Sequence, residues 1–110
     1  STDSVPAFEH KATWHGHLNF PLDIIVSEQY AWVTDIRPPK IVQFDLQGNQ
    51  IYTWRLPDEG PTRWLEMHSF AADALGNVYG TDNQLGRTQK LVPDPGADPE
   101  HLIQQQYIPR

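Results

Sequence analysis

The chain has 110 residues, no cysteine, fourteen acidic against eight basic side chains and a formal charge of −6. That length suits one small domain and no more. The missing cysteines exclude a disulfide framework, a thiolate nucleophile and a cysteine-ligated metal, and the acidic balance argues against a broad nucleic-acid surface, leaving only a small basic spot at Arg37 and Lys40. No run approaches the roughly 20 apolar residues of a membrane-spanning helix. The N-terminus does not read as an intact signal peptide. The expectation is a soluble chain, with a secreted or periplasmic location compatible if a signal peptide has been removed.

Residues 1–6 read as a loose terminus, and 7–14 as a short strand ending in Thr13-Trp14 before Gly16. The β-branched run 22–26 predicts a strand, and 30–34 a second one after a polar turn at 27–29. Pro38-Pro39 cannot supply ladder donors and marks a loop. Residues 41–45 and 50–54 are two further strands, joined by a hairpin-like turn at Gln47-Gly48-Asn49. A long connection through Pro57 and Pro61 follows. The cycle then restarts with strands at 69–73, 78–82 and 87–92, with Leu75-Gly76-Asn77 between the first two. A Pro-rich turn at 93–99 leads to a last strand at 101–107.

The two halves repeat. Thr34-Asp35 recurs as Thr81-Asp82, an offset of 47 residues, which also puts Trp32 on Tyr79, Lys40 on Arg87 and Phe44 on Leu91. The fourth strands need a few more residues of offset, which the Pro-rich insertion supplies. A period in the forties with four short strands per unit is the pattern of propeller blades, which bury their faces by stacking around a ring. The expected fold is therefore all-β, a single domain over 1–110, with one four-stranded antiparallel blade at 18–56 and a second at 67–106. Residues 7–14 are an extra edge strand. A β-sandwich or small barrel of about eight strands is the alternative.

The run Ala74-Leu75-Gly76-Asn77-Val78-Tyr79-Gly80-Thr81-Asp82, with Gly86-Arg87 and Lys90-Leu91, resembles the core of an NHL repeat. So does Trp32-Val33-Thr34-Asp35 with the stretch from Lys40 to Gly48. The resemblance covers roughly Leu18 to Gln105. It departs from the family pattern at Ser27-Glu28-Gln29-Tyr30, Gly80 and Thr88. Family members usually form six-bladed rings and include binding modules and the peptidylglycine amidating lyase domain. Two blades are too few for a ring, so either the chain is a fragment or identical chains assemble as a homo-oligomer, by arithmetic a trimer, with a dimer or another ring size as alternatives; residues 7–14 would then cover a neighbour's edge.

His68 precedes the innermost strand of the second unit, and the resemblance implies a place near a central channel. There, histidines of lyase-like relatives ligate a metal, and copies of His68 from several chains would converge. Imidazole suits zinc. His15 and His17 flank Gly16, and on a strand they would share one face and pinch a metal. Asp35 and Asp82 end equivalent strands, where they would bind a cation such as calcium, act as bases, or pin turns through backbone N–H groups. Trp32, Trp54, Tyr52, Tyr79 and Phe44 read as packing. Arg63 and Trp64 lie in the long connection and form a ligand-binding or subunit-contact pair if the indole is exposed.

The chain contains no phosphate loop, HExxH, GxSxG or EF-hand loop. The functional expectation is a non-enzymatic binding or scaffold module. It would recognise a small molecule or a protein through Arg37, Arg63, Trp64 and His68, with no assured cofactor. A metal-dependent lyase or hydrolase with zinc or calcium held by histidines from several subunits, and a purely structural assembly unit, are the alternatives. No residue is singled out as catalytic.

Overall fold

Seven strands and one short 3-10 turn make up the computed structural model, which describes residues 7–104. The strands are β1 (Asp23–Val26), β2 (Tyr30–Asp35), β3 (Lys40–Asp45), β4 (Gln50–Arg55), β5 (Met67–Ala72), β6 (Val78–Asp82) and β7 (Arg87–Leu91). They form two antiparallel meanders, β1-β2-β3-β4 and β5-β6-β7. The 3-10 turn spans Pro99–His101.

Hairpin chemistry explains two of the connections. Asp45-Leu46-Gln47-Gly48-Asn49 links β3 to β4, and Asp73-Ala74-Leu75-Gly76-Asn77 links β5 to β6. Each aspartate accepts the backbone N–H two and four residues on, and the amide N–H₂ of its own asparagine. The glycines sit at φ 88° and 84°, a region where a side chain is strained. The same five-residue device thus closes two different hairpins.

One face of the first sheet packs on one face of the second. Ile25, Trp32 and Ile41 meet Met67, Phe70 and Val78, with Leu56, Trp64 and Ile103 filling the space between. The sheets are closest at β1 and β5, where the Phe70 N–H donates to Asp23. The other face of the first sheet carries Val33, Val42 and Phe44, covered by Trp14 and Leu18 from the incoming chain. Burial on both faces explains why Ala31 through Asp35 are all buried in β2, whereas β6 alternates buried and exposed.

Two matching four-stranded propeller blades are not what forms. The second sheet has three strands among the described residues, and neither sheet closes on itself. Residues 101–104, where a last strand was expected to begin, lie in the end of the 3-10 turn and in coil. The physical reason is one local cap and one long-range grip. Asp98 caps the turn by accepting from Glu100 N–H, and buried Gln43 grips the same segment from the first sheet, drawing the chain across the sheets instead of along β7. Residues 105–107 of that expected strand, and the expected loose terminus at 1–6, lie outside the described residues. Residues 7–14 are coil and pair with no strand.

Candidate functional site: an aromatic groove beside an open strand

The sheets diverge from β1 and β5 toward β4 and β7, and the gap between them is a groove of about 710 Å³. Its floor is Ile41, Leu56, Val78 and Ile103, and Leu91 and Val92 form one bank. Tyr52 and Trp54, projecting inward from β4, form the other, edge to face at 5.4 Å and 78°. Tyr52 remains 41% exposed. The volume falls within the usual range of ligand sites.

A strap of residues 93–103 closes one end. Gln43 is fully buried in the middle of β3. Its Nε2 donates to the Glu100 carbonyl at 2.9 Å. Its Oε1 is then left as an acceptor, so His101 Nδ1 carries the proton and donates to it at 3.2 Å. The His101 ring stacks on Tyr52 at 4.2 Å, nearly parallel, and Nε2 lies 3.7 Å from Asp98. Tyr30 O–H donates to Glu100 at 2.6 Å. The carboxylate accepting that proton holds the phenol pKa above its ordinary value, with burial adding to the effect.

The opposite end of the gap is filled by the connection between the sheets. The Trp64 ring rests on Gly80, where a Cβ would lie 2.9 Å from its outermost carbon. Arg87 Nη2 and Gln89 Nε2 donate to the Arg63 carbonyl. Between the two ends, β7 has a strand partner on its β6 side alone among the described residues. Among the described residues, no strand pairs with its N–H and C=O groups on the other side, and such an edge can take an added strand.

The residues singled out from sequence are placed elsewhere. Trp64 is fully buried, so the reading of an exposed Arg63-Trp64 pair gives way to a core anchor beside an exposed arginine. Arg63 donates to the Gly60 carbonyl in its own loop. Arg37 is exposed at φ 66° and lies 5.6 Å from the Phe20 ring. His68 is exposed at a register shift in β5. No contact joins Arg37, Arg63 and His68 among the described residues. His15 and His17 flank Gly16 in a turn, at φ 44° for the glycine and 57° for His17. The one-face spacing expected of a strand therefore does not apply. Among the described residues, no three histidine, aspartate or glutamate side chains converge as a metal site would require.

Asp35 and Asp82 serve as pins. Asp82 accepts from Leu65 and Glu66 N–H at 2.8 and 3.1 Å on one oxygen, and from Gln84 and Leu85 N–H, both at 3.0 Å, on the other. Burial pushes its carboxyl pKa up, but the four backbone donors together outweigh burial and hold it below the ordinary 3.8. Asp35 likewise accepts from Asn19 and Phe20 N–H. Lys40 reaches the His17 carbonyl as Arg87 reaches that of Arg63. The two sheets therefore share one way of tying the incoming segment to the end of their second strand.

Sequence reasoning missed the groove and its Gln43–His101 clamp. The available signal was Gln43 itself, a polar side chain on the same face as Ile41 in an otherwise apolar run.

Comparison with family models, curated proteins and solved structures returns no match. The chain is an all-β domain whose two antiparallel sheets are reminiscent of repeat units. The NHL-repeat propeller suggested by its motifs is not supported, because among the described residues its sheets have four and three strands.

Proposed function

We propose that this chain is a binding module that takes an extended polypeptide segment into the groove by adding a strand to β7. The observation that carries this reading is the β7 edge, without a second strand partner among the described residues, whose last residue Leu91 lines the groove together with the aromatic bank of Tyr52 and Trp54. An edge strand supplies main-chain hydrogen bonds to an extended ligand, and a flanking apolar groove selects its alternate side chains. Tyr52 supports the reading further. It presents a large, partly exposed ring held rigid by its stack on His101, so contact area is gained with little side-chain entropy lost.

The test is a selection of random extended peptides on the intact chain, counter-selected on Tyr52→Ala. The expected result is enrichment of peptides with alternating apolar residues, whose binding shifts the β7 amide resonances and is weakened roughly 10-fold or more in Tyr52→Ala. Peptides that bind both chains equally, or shifts confined to the far side of the first sheet, would contradict the reading.

A further inference from the structure

We infer that the segment this groove accepts is residues 7–14 of a second copy of the chain, so that the module assembles with itself by strand donation. The inference rests on the groove reading above and adds the identity of the occupant.

The donor has the necessary properties. Residues 7–13 are coil and, apart from half-exposed Trp14 at the end, the segment is exposed. Phe8 is 90% exposed, more than any other large apolar side chain described. A phenylalanine left in water forfeits the gain of burial, and an exposed aromatic on an unpaired segment is the kind of group an interface takes up. The segment's own chain does not offer it a place in the groove. Trp14 fixes its C-terminal end to Phe44 on the far face of the first sheet, away from the face that borders the groove.

The side-chain pattern also matches the acceptor. In an added strand, Phe8, His10 and Ala12 point one way and Glu9 and Lys11 the other. Along β7, Gln89 and Leu91 point inward while Thr88 and Lys90 are exposed. With Phe8 turned into the groove against Tyr52 and Leu91, Glu9 falls on the outer face with Lys90. That lysine's only described contact is with the Tyr79 ring at 5.6 Å, so its charge can pair with Glu9. Among the described residues of its own chain, Glu9 has the exposed Lys11 alone. Apolar side in and acid against lysine out is a complementarity that favours this register over one displaced by a residue, which would expose Phe8 and bury Glu9.

The experiment is sedimentation velocity of the full chain over a concentration series, for the native sequence and for Phe8→Ser, with a synthetic peptide of residues 7–14 titrated in parallel. Because Phe8 is exposed, Phe8→Ser leaves the fold intact, which thermal melting checks. The expected result is reversible self-association that Phe8→Ser weakens roughly 10- to 100-fold, and competition by the free peptide. A chain that stays monomeric to high micromolar concentration, or self-association indifferent to Phe8→Ser, would overturn the inference. If the 7–14 peptide fails to bind while selected foreign peptides do, the self-partner falls and the groove reading stands. If neither binds, both fall.

Discussion

The two sheets share their construction and differ in how far they are finished. In each, an aspartate at the end of the second strand ties down the incoming backbone, and a basic residue at the start of the third reaches a carbonyl of the same segment. Yet the first sheet is covered on both faces, by the second sheet and by the segment carrying Trp14 and Leu18. The second exposes Ser69, Ala71, Tyr79, Thr81, Thr88 and Lys90 on one face, and among the described residues its β7 has no second strand partner. Repetition of local pins therefore does not enforce repetition of the whole unit. The pins fix how a meander starts, and what covers its last strand is decided by where the chain goes next.

The sharpest way to break the comparison is Trp64→Ala. The ring fills the junction between the sheets, and its loss should cost about 3–5 kcal/mol, measured by urea unfolding. A loss below 1 kcal/mol would mean that the sheets do not depend on one another. Next in size is Asp82→Asn. An amide cannot satisfy four backbone donors, so a loss of about 2–3 kcal/mol is expected. Asp35→Asn should cost less, since Asp35 serves two backbone donors and a lysine 3.6 Å away.

Gln43→Ala removes the clamp while leaving both sheets intact. We expect a loss of about 1–2 kcal/mol and faster hydrogen exchange in residues 98–103, with β1 and β2 unchanged. The smallest effect sharpens the comparison through pH. Asp45, Asp73 and Asp82 all titrate below their ordinary value, Asp45 and Asp73 chiefly because the neighbouring asparagine amide donates to them. A depressed carboxyl contributes stability above its unfolded pKa, and that contribution disappears as pH falls through the lower folded value. Stability should therefore decline below about pH 4, and Asp82→Asn should flatten the decline. A decline that Asp82→Asn leaves unchanged would show that Asp82 is not part of it.

Much of the strand pattern was legible in the sequence. Alternation and turn residues located all seven strands, and the reading of the strand-end aspartates as pins of the following turn holds for Asp82, whereas Asp35 pins the incoming backbone at Asn19 and Phe20 instead. The errors came from reading residues 7–14 as a strand, where they are coil, and from treating the tail as a copy of β4. Leu102 and Ile103 have the right character for a strand, but Pro99 and the Asp98 cap start a 3-10 turn before them. The pull of Gln43 on Glu100 and His101 acts across more than fifty residues of sequence, which no local pattern reveals. Trp64 was similarly ambiguous. A tryptophan in a loop reads the same whether it faces solvent or rests on a glycine in a strand still to come. The groove was illegible for the same reason, since Tyr52, Leu91 and His101 meet only once the sheets have packed.

Amide-resolved hydrogen exchange on the dilute chain tests the central claim most directly. The account predicts strong protection in β2 and β3, which are paired on both sides, and weak protection of alternate amides in β7, which slow when the 7–14 peptide or a selected peptide is added. Protection of β7 equal to that of β3 in the dilute monomer would mean that another part of the same chain already covers that edge, and would contradict the account.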